Sequence, residues 1–185
     1  MRLSLLLAVL LTSVAGATTL VTTDVQHRNG RFHIRFSTII DAPYERISAL
    51  MDSYQRWPQW SGFVKQVNIL DRPDTNTTLL KLELNTCYLL FCQSMTKIQT
   101  VTRTAPGKLL TMISLDRQDF RYARELWQIQ ASGPRTLLTY DAVLEPAFYI
   151  PPIFGPWLVK SGIQKELRRS TQRLEQIARN PEQQL

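Results

Sequence analysis

The stretch that most constrains the fold is residues 63–145, which contains strand-like segments and no apolar pattern with helical spacing. The predicted strands are 63–70, 77–86, 93–103, 108–115, 120–130 and 135–144. Short turn sequences separate them, for example Ala-Pro-Gly at 105–107 and Ser-Gly-Pro at 132–134. Consecutive strands joined by short turns form an antiparallel meander, so this stretch predicts one antiparallel sheet.

Two further strands are predicted before the meander, at residues 21–28 and 31–40. The Asn-Gly pair at 29–30 between them is a strong signal for a two-residue hairpin turn. From Phe32 onward, apolar and polar residues alternate through the second strand. This alternation predicts a strand with one buried side and one side in solvent.

Two segments have helical spacing. The first follows Asp41, an expected N-cap, and Pro43, which suits a first helical turn, and it continues to about residue 54. The second is a long helix over about residues 157–179, which the Asn-Pro pair at 180–181 ends. The fold class is therefore α+β: a curved antiparallel sheet of about seven strands wrapped around a long C-terminal helix. The length of 185 residues fits a single domain, which we place at 18–185.

Residues 1–17 have the pattern of a cleaved secretory signal peptide, with a positive start, an apolar run and a small-residue end. The apolar run is shorter than the roughly 20 residues that span a bilayer, although a permanent anchor is the alternative. We expect cleavage after Ala17 and an exported, periplasmic mature protein that begins at Thr18.

The two cysteines, Cys87 and Cys92, bracket a four-residue connection between predicted strands. In an oxidising compartment such a pair forms a disulfide. A metal site would need further ligands, and the histidines of the chain, His27 and His33, lie in the N-terminal strands. We therefore expect a disulfide and no metal site.

One long helix is available to cover the apolar face of a long sheet, and this arrangement tends to leave space between them. Such a space is typical of a small-ligand site, which is mostly apolar with a few polar groups. The expected lining residues of the sheet are Phe36, Leu82, Met95, Trp127, Ile129 and Tyr140. The helix adds Ile163 and Leu167, and the expected mouth residues are Trp57, Trp60, Phe63, Phe148 and Phe154.

Two features of this predicted lining have alternatives. Trp57 and Trp60 could equally fill the core, because aromatic residues usually serve packing first. Tyr140 is the best candidate for a polar ligand contact, since a buried hydroxyl needs a hydrogen-bond partner, but a neighbouring strand could also supply it.

The formal net charge is +7, and many of the basic residues lie on the last helix. They are Lys160, Lys165, Arg168, Arg169, Arg173 and Arg179. The ordinary interpretation is a solvated helix face, and the alternative is peripheral contact with an anionic membrane surface. We expect no nucleic-acid partner, because the chain is predicted to be exported and has no recognition motif.

No phosphate-binding, metalloprotease or serine-hydrolase motif is present, so no catalytic residue and no cofactor are assigned. This absence is weak evidence against an enzyme. A site built from scattered inner-face residues, such as Arg35, Glu83, Glu125 and Tyr140, would have no motif.

The order and spacing of several segments resemble the START-like helix-grip (SRPBCC) superfamily, in its polyketide cyclase/dehydrase and coenzyme Q-binding branch. The segments are IIDAPYERISALMDSYQRWPQW, FVKQVNIL, ELWQI, RTLLTYDAVLEP and IPPIFGPWLVK. The resemblance implies a sheet that grips the C-terminal helix around an apolar ligand tunnel. It does not imply one activity, because related proteins bind lipids, carry quinones, cyclise polyketides or bind partners. The signal segment and the cysteine pair depart from the usual cytoplasmic or mitochondrial members.

The first functional hypothesis is a non-enzymatic periplasmic carrier for an apolar or amphipathic small molecule, such as a lipid or isoprenoid. A cyclase- or dehydrase-like enzyme is the second, and two or more titratable side chains converging inside the cavity would favour it. The third is an envelope interaction module, which an exposed apolar patch near Trp57 or Trp157 would favour.

Overall fold

A computed structural model describes residues 19–88, 91–114, 119–151 and 155–180. Its strands are β1 (Thr19–Arg28), β2 (Arg31–Ile40), β3 (Val64–Asp71), β4 (Thr77–Tyr88), β5 (Phe91–Ala105), β6 (Lys108–Ile113), β7 (Phe120–Ser132) and β8 (Arg135–Pro146). Its helices are α1 (Tyr44–Asp52), a 3₁₀ turn (Tyr54–Arg56), α2 (Trp57–Trp60) and α3 (Gly155–Arg179). The predicted signal segment, residues 1–17, lies outside the described residues.

The strands form one antiparallel sheet in the order β1-β2-β8-β7-β6-β5-β4-β3. The meander from β3 to β8 closes onto the N-terminal hairpin, because β8 pairs with β2. With its long C-terminal helix this is the predicted α+β helix-grip fold, and the described part of the sheet has eight strands. At the predicted hairpin turn, Asn29 and Gly30 both have positive φ, as a two-residue turn of this kind requires.

Helix α3 covers the inner face of the sheet through two apolar clusters. The first, which we call the hairpin cluster, consists of Val25, Phe32, Ile34, Phe36, Tyr140 and Ala142, with partly buried residues around it. Ile163 and Leu167 of α3 pack against it. Further along α3, Leu174 and Ala178 are buried in a second cluster that includes residues of α1 and α2. The core is therefore continuous along α3 from the hairpin side to α1.

The start of α1 differs from the prediction. The N-cap position is Pro43, and Asp41 makes no capping hydrogen bond. The Asp41 carboxylate instead pairs with Arg179 at the end of α3, while its backbone N–H donates to the buried Glu175 carboxylate at 3.1 Å. The predicted N-cap role is wrong because a long-range ion pair takes this side chain.

The predicted disulfide is present between Cys87 and Cys92, which face each other across β4 and β5 with their Cα atoms 4.0 Å apart. Within the described ranges, no helix is long and apolar enough to cross a membrane.

Candidate functional site

Three titratable side chains from three strands meet on the inner face of the sheet. They are Lys97 of β5, Glu125 of β7 and Tyr140 of β8, and we call them the polar triad. The Lys97 Nζ atom contacts Glu125 Oε1, and the Tyr140 hydroxyl donates a hydrogen bond to Glu125 Oε2 at 3.0 Å. Lys97 is only 5% exposed and Tyr140 is also buried. Each carboxylate oxygen of Glu125 therefore has a partner away from bulk water.

Burial changes the proton affinity of two members of the triad. It lowers the pKa of Lys97 to about 7, because the ammonium ion loses its hydration. It raises the pKa of Tyr140 above its ordinary value, because the phenolate would lose its hydration in the same way. The contact with Glu125 acts against burial at Lys97, since a carboxylate stabilises the ammonium form. We infer a lowered pKa for Lys97, which places an amine that can gain or lose a proton near neutral pH beside a carboxyl group.

Gln99 is a fourth polar residue on this face, two positions along β5 from Lys97. It is 1% exposed, and its Oε1 atom accepts no hydrogen bond from any residue that the structure describes. Its cross-strand neighbours on the same face, Leu80 of β4 and Ile113 of β6, are apolar and supply no side-chain donor. An unsatisfied buried acceptor costs about 1 to 3 kcal/mol, so this atom calls for an explanation.

Apolar side chains surround these polar groups, several of them predicted as lining. Phe36 is paired with Tyr140 across β2 and β8, and the rings of Trp127 and Tyr140 have centroids 4.0 Å apart. Leu82 lies directly opposite Lys97 on β4. Met95 is half-buried on the same face of β5.

The predicted lining residues do not all come together. The hairpin cluster contains Phe36 and Tyr140 and is contacted by Trp127, Ile163 and Leu167. The second cluster contains Leu82, Ile129, Trp57 and Trp60, and Trp127 borders it as well.

The predicted mouth residues have different surroundings. Trp57 and Trp60 are core residues, and the Trp57 indole N–H donates to the Met51 carbonyl oxygen at 2.9 Å. Phe63 is half-buried just before β3. Phe148 is half-buried in the bend after β8, and Phe154 lies outside the described residues.

A groove of about 460 Å³ opens at one end of the sheet, beside the first turn of α3. It is lined by His27, Gly30, Arg121, Glu145, Pro146, Ala147, Phe148, Tyr149, Ile150 and Pro156. Ile150 also packs against the hairpin cluster, so the groove adjoins the apolar side chains around Tyr140. Neither this groove nor a shallow depression lined by Lys165, Arg168 and Arg169 of α3 is bordered by the predicted inner-face residues.

Two residues suggested as scattered inner-face groups lie on the outer face. The Arg35 side chain is exposed and pairs with Asp141 at 3.8 Å on the solvent side. Glu83 points away from the inner face, because Leu82 and Leu84 on either side of it face the core. Glu125 and Tyr140 are on the inner face, as suggested, whereas Lys97 and Gln99 were missed.

No group of three or more His, Cys, Asp or Glu side chains that could hold a metal ion occurs within the described ranges. The polar triad has one carboxylate, and hard cations such as Mg²⁺ and Ca²⁺ are held by several oxygen ligands. The chemistry that these residues offer is hydrogen bonding and proton transfer.

Residues 40–175 match the family described as polyketide cyclase / dehydrase and lipid transport, and the chain belongs to this family. The match covers most of the sheet and α3, including the polar triad. No curated protein matches the chain significantly.

Solved structures share the fold. A START superfamily protein from Mycobacterium smegmatis is 24% identical, with a TM-score of 0.66 over 80% of this chain and 98% of that chain. The Zhui aromatase/cyclase from Streptomyces sp. R1128 is 10% identical, with a TM-score of 0.65 over 81% and 94%. A protein from Thermus thermophilus is 16% identical, with a TM-score of 0.65 over 81% and 99%. At these identities the likeness shows the fold alone.

Proposed function

We propose that the protein binds an apolar or amphipathic small molecule, such as a lipid or isoprenoid, between α3 and the inner face of the sheet, and carries it. The observation that supports this most is the composition of the inner face. An apolar, aromatic surface encloses buried polar groups that include the polar triad and Gln99, and this combination is typical of ligand sites. The family description, which includes lipid transport, and the fold of the START superfamily protein agree with it.

The groove beside α3 is the proposed entrance to this site. Its volume of about 460 Å³ lies within the usual range of small-ligand pockets. Beyond it, Ile163 and Leu167 are half-buried against the hairpin cluster, so a small movement of α3 would extend the groove inward. Burial of about 200 Å² of apolar ligand surface would supply roughly 5 kcal/mol before the entropic cost of binding.

A membrane is the proposed source of the ligand. Tyr149 and Trp157, beside the groove, are 80% and 62% exposed. The outer face of α3 carries the exposed basic residues Lys165, Arg168 and Arg169, which line a shallow depression. Each basic residue near an anionic bilayer contributes about 1 kcal/mol of attraction. The interaction-module alternative draws its support from the exposed Trp157 rather than from Trp57, which is buried.

The membrane proposal is tested by flotation with phosphatidylcholine vesicles that contain or lack phosphatidylglycerol. We expect binding to the anionic vesicles, and its loss in a variant with Arg168→Glu and Arg169→Glu. The matched control carries Lys65→Glu and Arg72→Glu, both exposed at the β3 edge of the sheet. Equal binding of both variants would contradict the assigned surface.

We also propose that the protein is exported to the periplasm after cleavage of residues 1–17. The disulfide supports an oxidising compartment. N-terminal sequencing of protein from a periplasmic extract should begin at Thr18. A mature chain that retains residues 1–17 would contradict the proposal.

Ligand binding itself is tested by native mass spectrometry and solvent extraction of the purified protein. We expect a co-purifying apolar molecule, and its loss in Ile163→Trp, because the larger ring fills space beside the hairpin cluster. Gln172→Trp places the same ring on the exposed side of α3 and should keep the ligand. Absence of any bound molecule in native protein, together with no uptake of added apolar probes, would exclude the carrier.

The polar triad favours a second candidate, an acid–base enzyme of the cyclase or dehydrase kind. Titratable groups that converge in an apolar site with a shifted pKa are typical of active sites. The aromatase/cyclase structure shows that such enzymes use this fold. The test is deuterium incorporation from D₂O into 1-phenyl-1,3-butanedione, with Glu125→Gln as the inactive variant and exposed Glu45→Gln as its control. Binding of apolar probes without proton exchange above background would exclude this candidate for that substrate class.

A further inference from the structure

Not every hydrogen-bonding group on the inner face has a partner among the described residues. Both oxygens of Glu125 have partners, one in Lys97 and one in Tyr140. The Lys97 amine retains N–H groups beyond the one directed at Glu125, because an ammonium group has three and a neutral amine two. The Gln99 Oε1 atom, in contrast, is a buried acceptor without a donor among the described residues.

The register of the sheet brings these two residues within reach of one bound group. Lys97 and Gln99 are separated by two positions on β5, so their Cα atoms lie about 7 Å apart on the same face. Both side chains are long, and their cross-strand neighbours Leu80 and Leu82 are apolar. A small group between the two side chains would meet a donor on one side and an acceptor on the other, with apolar walls around it.

We propose that Lys97 and Gln99 form a binding site for the hydroxyl group of an uncharged amphipathic alcohol. The ligand O–H donates to Gln99 Oε1, and the ligand oxygen accepts a hydrogen bond from Lys97 Nζ. This inference rests on the proposed ligand-binding function and names the chemical class of its ligand.

Other polar end groups fit less well. A carboxylate accepts hydrogen bonds but donates none, so Gln99 Oε1 would remain unsatisfied, and a second negative charge would lie close to Glu125. An ether or ketone oxygen also leaves Gln99 without a donor. A hydrocarbon end would leave Gln99 unsatisfied and cover the Lys97 N–H groups as well.

The test compares two isomers, 1-decanol and 1-methoxynonane, which have the same atoms and differ in whether the oxygen carries hydrogen. Their affinities for the delipidated full chain are measured by isothermal titration calorimetry. We expect 1-decanol to bind about 10-fold more tightly, the factor that corresponds to about 1.4 kcal/mol. Decanoate should bind more weakly than 1-decanol.

Variants of Gln99 test whether this residue causes the preference for 1-decanol over 1-methoxynonane. Gln99→Leu removes the acceptor at similar size, so we expect equal affinities for the two isomers. Gln130→Leu makes the same change at an exposed position of β7 and should retain the preference. Circular dichroism checks the fold, and Gln99→Met replaces the leucine variant if that variant is unfolded.

Each result separates this inference from the proposed function. Equal binding of the isomers by native protein, or tighter binding of decanoate, would overturn the hydroxyl site and leave the carrier proposal intact. Retention of the preference in the folded Gln99 variant would overturn the assignment to Gln99. If neither isomer nor decanoate binds, the hydroxyl site and the carrier proposal both fail.

Discussion

The free energy of unfolding should rise by about 2 kcal/mol from pH 7 to pH 9 because Lys97 is buried. The pKa of Lys97 is about 7 in the folded protein, against 10.5 for an ordinary lysine. Between these values the unfolded chain holds a proton that the folded chain has released. Stability rises with pH wherever the unfolded state binds more protons, at about 1.4 kcal/mol per pH unit for one proton. At pH 7 about half of the folded molecules still hold the Lys97 proton. The free energy of unfolding therefore rises over two pH units by slightly less than twice the value of about 1.4 kcal/mol per unit.

The upper limit of pH 9 avoids an opposite contribution from Tyr140. Burial raises the pKa of Tyr140, so the folded protein keeps this proton above pH 10, where the unfolded chain loses it. Stability is therefore lost with increasing pH in that range. The disulfide does not disturb the measurement, because the chain has two cysteines and they are bonded to each other.

The assay is urea unfolding at pH 7, 8 and 9, followed by tryptophan fluorescence. Lys97→Met removes the titrating group, so its free energy of unfolding should not show the rise. Lys108→Met changes an exposed lysine at the start of β6 and should retain it. A native profile as flat as that of Lys97→Met would refute the reasoning. It would show that contact with Glu125 outweighs burial and keeps Lys97 protonated, and the second candidate function would lose its neutral-pH amine.

Three further predictions use the same unfolding assay. Leu174→Ala should cost about 2 to 5 kcal/mol because this α3 side chain is fully buried, and a cost below about 1 kcal/mol would contradict its packing. Gly133→Ala, at φ +61° with open space around it, should cost about 1 to 2 kcal/mol. Gly107→Ala should cost clearly more, because the added Cβ would lie 2.3 Å from a backbone oxygen of β7, and equal costs would refute the clash. Replacing Cys87 and Cys92 by serine should cost about 2 kcal/mol, and no loss would contradict a stabilising disulfide.

The N-terminal hairpin and the antiparallel meander were predictable because the local signals in this chain agree with the final fold, whereas the pairing of β2 with β8 joins residues about 100 positions apart and was not predicted. The Asn-Gly turn and the alternation in β2 depend on residues close together in the chain, and both are present in the structure. The role of Asp41 was not predictable in the same way. A helix cap is a local feature, and here Arg179, 138 residues away, takes the carboxylate that the cap would need.

The candidate site was predictable only in part. Tyr140 could be assigned to the inner face because β8 alternates clearly between apolar and polar positions. In β5, polar residues occupy both faces, with Lys97 and Gln99 on one and Thr96 and Thr100 on the other. The assignment of Met95 to the inner face implies the same face for Lys97 and Gln99, but their polarity argued against counting them as lining. The pairing of β5 with the leucines of β4 decides which side is buried, and that information is absent from the local pattern.

The buried polar groups are difficult to explain by stability. Replacing a buried ion pair with apolar residues of similar volume is often neutral or stabilising, and an unsatisfied acceptor such as Gln99 Oε1 carries a further cost. Leucine or methionine at Gln99 would therefore give an inner face at least as stable, and so would apolar residues that replaced Lys97, Glu125 and the Tyr140 hydroxyl together. Since packing does not require these groups, a bound molecule that pairs with them is the better physical explanation. That reasoning predicts that the free energy of unfolding of Gln99→Leu is at least as large as that of the native protein. The same variant should lose the preference for 1-decanol over 1-methoxynonane.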